Sequence, residues 1–179
     1  MTRQHAELTI PVGPNDHAQG SADAPVTLLE YGDYECPYCG KAYPIVKRLQ
    51  ERLGDRLRFV FRNFPLAELH PNATAAAEFA EAAALQGKFW AMHDMLFEHQ
   101  RALNPTNLHA YARSLDLDRE GLEDALRNGT PRDRVRKDFM SGVRSGVNGT
   151  PTFFINGRRF DGNWGDEDAF LAALSDVRL

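Results

Sequence analysis

The spacing of apolar positions changes along the chain, and each change marks an element. Residues 1–25 are polar and rich in turn formers (Pro11, Gly13, Pro14, Gly20, Pro25), which reads as a lead-in arm with one short strand at 8–12. Val26–Tyr31 is an apolar run of strand length, and Gly32–Glu35 a loop. Tyr43, Val46, Leu49 and Leu53 then keep helical spacing, with Pro44 expected to kink the helix and Gly54–Asp55 to end it. Leu57, Phe59 and Phe61 alternate in a second strand over 56–63. Helical patterning follows over 72–85, 88–100, 106–115, 118–128 and 131–145, divided by Asp, Gly and Pro. Thr152–Ile155 is a strand again, Asn156–Gly157 a two-residue hairpin turn, and Arg158–Phe160 its return. Asp166 caps a final helix carrying Phe170, Leu171, Leu174 and Val177.

The order is strand, helix, strand, several helices, strand, hairpin, strand, helix. An α/β fold follows, divided into an arm (1–25), a βα-β half (26–64), a helical insertion (65–130) and a second half (131–179). The 179 residues suit one domain with a large insertion, and 42% hydrophobic residues plus 14 Gly supply a core without a disulfide staple. A net charge of -4 with no basic stripe argues against nucleic acid as a partner. The apolar runs are too short to insert in a membrane. Met1–Ile10 has no apolar stretch of signal-peptide length. Read as a native start, it predicts a cytoplasmic protein; periplasmic or secreted placement requires a signal peptide to have been removed.

The chain has two cysteines, Cys36 and Cys39, placed where the first strand gives way to the first helix. In a reducing compartment such a pair is catalytic or metal-binding rather than a structural staple. Zinc needs four ligands, whereas there is no third cysteine, and His93 and His99 stand six apart in one helix. No metal and no other cofactor is therefore expected. A zinc-binding or redox-switched interaction module without turnover stays open as the alternative, as does a holdase-type binder.

Redox chemistry fits the placement. Cys36 caps the helix and Pro37 fills its first turn, where a missing N–H costs nothing. The free N–H groups and the positive helix end stabilise a thiolate. A fall in pKa from about 8.5 to about 6 raises the thiolate fraction at pH 7 from about 3% to about 90%, while nucleophilicity falls about tenfold. The motif therefore tunes redox poise more than speed of attack. Cys36 is the expected nucleophile and Cys39 the resolving thiol.

The segment Glu30–Cys39 resembles the active-site segment of DsbA-like thiol-disulfide oxidoreductases of the thioredoxin superfamily. Phe61–Pro65, Gly87–Trp90 and Gly149–Gly157 resemble other parts of the same family. The resemblance implies a thioredoxin fold, a central mixed sheet flanked by helices, with an inserted helical subdomain. It implies exchange of disulfides with protein or peptide thiols, with glutathione or a thioredoxin-type protein as electron donor. It places Glu30 as a buried acid under Cys39, makes Pro37 and Tyr38 the dipeptide that sets the potential, and makes Thr150–Pro151 a cis-proline loop that offers backbone to substrate. The Cys-Pro-Tyr-Cys tetrapeptide is the one associated with glutaredoxins, not the Cys-Pro-His-Cys of strongly oxidising periplasmic members, so a reductase or isomerase is expected. Asp33 and Glu35 read as solvated loop acids, His17, His70 and His109 as surface or capping residues, and Phe89, Trp90 and Met92 as packing. Trp164 either lines the site or covers the last helix.

Overall fold

The computed structural model describes residues 6–177. The first five positions of the expected arm and the last two of the chain lie outside the described residues. Five strands form one mixed sheet: β1 (His17–Gln19), β2 (Val26–Gly32), β3 (Leu57–Asn63), β4 (Thr152–Ile155) and β5 (Arg158–Phe160). Their order is β1-β3-β2-β4-β5. β2 and β3 run parallel, joined by helix α1 (Pro37–Leu53), and every other pairing is antiparallel. Helices α2 (Ala73–Ala84), α3 (Phe89–Glu98), α4 (Pro105–Ser114) and α5 (Arg119–Asn128) follow β3, then α6 (Thr130–Arg144), and α7 (Glu167–Ser175) closes the chain.

The arm departs from expectation. The arm forms no strand at 8–12; a single bridge pairs Glu7 with Arg158 beside β5. The first strand is instead His17–Gln19, whose three residues are too few to show an alternation. Helix α1 continues through Pro44, which leaves the Gly40 carbonyl without its intrahelical donor.

The alternation along β2 and β3 builds two cores. Val26, Leu28, Phe59 and Phe61 face one side, packed under α1, α3 and α7; Leu29, Tyr31 and Val60 face the other with Phe64 and Phe154. Period two puts Glu30 on the same side as Val26 and Leu28, so this acid points into the core beneath α1. In α1 the buried residues Cys39, Ala42, Val46, Leu49 and Leu53 form one stripe, which turns Cys39 inward. The Asn156–Gly157 turn has positive φ at both positions (45° and 80°), as a two-residue hairpin with native twist requires.

Candidate active site

The parallel β2–α1–β3 unit places Cys36 at the cap of α1, with φ -70° and ψ 122°, and Pro37 as the first helical residue. The Cys36 N–H donates to the Asp33 carbonyl at 3.1 Å, and the Cys36 carbonyl accepts from Gly40 N–H at 3.1 Å. Both cysteines are free and lie 3.9 Å apart. Both are buried, Cys36 at 3% exposure and Cys39 at 0%, so Cys36 is the more accessible of the two.

The Cys36 thiol is lowered to about 5. A hydrogen bond from the Cys39 side chain is the largest contribution; burial works against it, and Thr150 and the N–H groups of Cys39 and Tyr38 add to it. As a thiol, Cys36 donates to the Thr150 carbonyl at 3.4 Å, while the buried Thr150 hydroxyl has no hydrogen-bond partner among the described residues. Cys39 moves the other way: burial, then its bond to Cys36, then the charge of Glu30 push it well above the ordinary thiol value. The helix end thus holds one thiolate and keeps its neighbour protonated.

Glu30 is 2% exposed and its Oε1 has no hydrogen-bond partner. Burial first, and the Cys36 charge second, push it up to about 8. The peptide bond before Pro151 is cis, and Thr150 sits opposite Cys36. Tyr38 is 59% exposed beside the thiol, with Lys41 Nζ 5.5 Å from its ring centre. Cys36, Cys39, Glu30, Pro37, Tyr38, Thr150 and Pro151 are therefore gathered at one end of the sheet.

Of the two acids between β2 and Cys36, Asp33 is buried, contrary to expectation, and Glu35 is half-buried. Asp33 is buried: its carboxylate accepts from Glu35 N–H (2.8 Å), Leu66 N–H (2.9 Å) and His70 Nδ1 (2.8 Å), and its own N–H donates to Cys39 Sγ at 3.4 Å. Glu35 accepts from the N–H and Nδ2 of Asn72. His17 likewise stacks on Phe89 at 3.6 Å and bonds Glu81. Trp164 packs on Phe153, 6.3 Å away, in the core that holds Phe170. Gln100, to which the sequence pattern gave no role, donates to the carbonyls of Tyr34 (2.9 Å) and Cys36 (2.7 Å). Among the described residues no three His, Cys, Asp or Glu side chains gather to hold a metal ion, and no helix is long and apolar enough to cross a membrane.

Known proteins are similar to this chain in sequence and fold. The family model described as Thioredoxin matches residues 13–175. A thioredoxin-like oxidoreductase from Silicibacter pomeroyi superposes with a TM-score of 0.79 at 30% identity, covering 92% of each chain. Oxidised BdbD from Bacillus subtilis does so with a TM-score of 0.78 at 28% identity, over 89% of this chain and 91% of that one. In sequence, Na(+)/H(+) antiporter NhaA 1 of Salinispora arenicola is 46% identical over 170 residues, 94% of this chain. The chain spans only about a quarter (26%) of that relative's length.

Proposed function

The chain belongs to the DsbA-like thiol-disulfide oxidoreductases of the thioredoxin superfamily, and we propose that it works as a disulfide reductase or isomerase through Cys36 and Cys39. The observation that carries this reading is the split between the two thiols: Cys36 near 5 at the surface end of α1, Cys39 raised and buried behind it. Cys36 thiolate attacks one sulfur of a substrate disulfide; the S–S bond breaks, a mixed disulfide forms, and the first substrate thiol leaves. Cys39 then loses its proton, its sulfur attacks Cys36 Sγ, and the second substrate thiol leaves. The substrate gains two electrons and the enzyme becomes the Cys36–Cys39 disulfide. Two equivalents of a thiol such as glutathione restore the dithiol.

Glu30 takes the Cys39 proton in this scheme. Its Cys36-charge contribution disappears once Cys36 is in the mixed disulfide, so Glu30 ionises more readily at the step that needs a base. The Thr150 backbone beside Cys36 is where an extended substrate pairs as an added strand. Thiol acidity also sets direction. Against a thioredoxin-like site with a thiol near 7 and a potential near -270 mV, a thiol near 5 favours the dithiol about fiftyfold at pH 7, which puts the couple about 50 mV higher, near -220 mV. That is the glutaredoxin range, well below the roughly -120 mV of a strong oxidase.

Cys39→Ser tests the scheme. The variant is expected to accumulate a mixed disulfide between Cys36 and a protein or glutathione thiol, which Cys36→Ser does not form; absence of the adduct would sink the reading. The antiporter-named relatives support a second proposal, that this unit serves a transport protein in cells. Recovery of an ion transporter in the Cys39→Ser adducts would support it; adducts restricted to soluble proteins would contradict it.

A further inference from the structure

Each residue of the loop 33–36 takes a hydrogen bond from the helical segment after β3. The Asp33 carboxylate accepts from Leu66 and His70, Tyr34 Oη pairs with His93 Nδ1 at 3.1 Å, and Glu35 accepts from Asn72. The fourth link reaches the nucleophile itself. Gln100, in the turn that follows α3, directs both hydrogens of Nε2 at main-chain carbonyls, Tyr34 at 2.9 Å and Cys36 at 2.7 Å. The opposite amide orientation would set Oε1 against two carbonyl oxygens, so the donor role is fixed by its partners.

Gly40 records the same contact from the other side. It lies within α1, where Ala would favour the helix by about 1 kcal/mol. A Cβ there would overlap Gln100 Oε1 and approach its Cδ to 2.9 Å. The glycine after Cys39 thus keeps open the space that the Gln100 amide occupies.

We propose that Gln100 is a positioning residue through which the helical segment after β3 sets the reactivity of Cys36. It never touches the sulfur. Its two bonds hold the backbone on either side of Glu35, and so hold Cys36 Sγ against the N–H groups of Tyr38 and Cys39 and against Thr150. Without them, the Tyr34 carbonyl turns to water, the Cys36 carbonyl keeps only the Gly40 N–H, the cap loosens, and the thiolate meets its donors less often. The inference rests on the oxidoreductase reading only for its redox consequence; thiolate formation is measurable without turnover.

Gln100→Met keeps the side-chain volume and removes the donor. The alkylation rate of Cys36 against pH should show its midpoint about one unit higher, and equilibration with glutathione should shift about tenfold toward the protein disulfide, about 30 mV more reducing. Gly40→Ala, which expels the amide while leaving Gln100 in the sequence, should reproduce both shifts. On a Gln100→Ala background it should add nothing, because the two act through one contact. A Gln100→Met protein with the parent midpoint and potential would overturn the proposal, as would additive effects of the two changes. If the parent protein forms no reversible disulfide, the oxidoreductase reading fails, while the alkylation midpoints still decide the role of Gln100.

Discussion

Two buried polar regions of this molecule are treated in opposite ways. Around the end of β3, charges are matched. Arg62 gives all its donors to Asp16, Tyr31 and the carbonyls of Ile10 and Pro11. Asn63 Nδ2 bridges Glu81 and Asp138, His17 closes on Glu81, and Arg134 closes on Asp138. Among the described residues, the one buried side-chain polar atom there that lacks a partner is Asn63 Oδ1. Beneath α1, Glu30 is as deeply buried yet has no cation and no donor on Oε1. A buried ion that is paired holds its charge, whereas an unpaired one gives it up by taking a proton. The first region ties the arm, β3, α2 and α6 together; the second keeps an unpaired acid whose charge acts on Cys39.

Breaking the matched region should have the larger effect on stability. Arg62→Met leaves the Asp16 carboxylate half-buried without its guanidinium, and denaturant unfolding should show a loss of about 3–5 kcal/mol, with the Cys36 alkylation midpoint unchanged. Glu30→Gln should do the reverse. Because the Glu30 carboxyl is raised in the fold, its contribution to stability is fully present below about pH 4.5 and is lost as pH rises through about 8. Unfolding curves of parent and variant should coincide in acid and separate with rising pH, the variant being more stable by on the order of 3 kcal/mol at pH 7. In stopped-flow measurements the same variant should resolve the mixed disulfide about 10²-fold more slowly at pH 7.

Finer contrasts follow inside the site. Alkylation of Cys36 should be half-maximal near pH 5, while Cys39 in a Cys36→Ser protein stays unreactive through about pH 9, because burial and the Glu30 charge still oppose its thiolate. Equal reactivity of the two would erase the division of labour. The smallest effect is on Glu30 itself. Its carboxyl should titrate lower in the disulfide form than in the dithiol form, by up to about one unit, since the Cys36 charge is then absent. Carbon-detected NMR of the carboxyl resonance measures it.

The chemistry was more legible in the sequence than the frame that controls it. Cys36, Pro37 and Cys39 declare themselves by residue type at a strand-to-helix junction, and the family resemblance marked Glu30 as a buried acid under Cys39. The burial of Asp33 and the reach of Gln100 were not legible. Both depend on how the segment after β3 folds back over the loop, and a lone Asp or Gln carries no periodic signal. The strand His17–Gln19 was missed for the related reason that its pairing with β3, not its own pattern, makes it a strand.

Equilibration of the protein in graded glutathione buffers at pH 7, with the oxidised fraction read by thiol trapping and mass, tests the central claim most directly. The account predicts one reversible two-electron transition near about -220 mV, lost in Cys36→Ser and in Cys39→Ser. A transition near about -120 mV would contradict the reductase or isomerase assignment, and the absence of any reversible Cys36–Cys39 disulfide would contradict dithiol catalysis altogether.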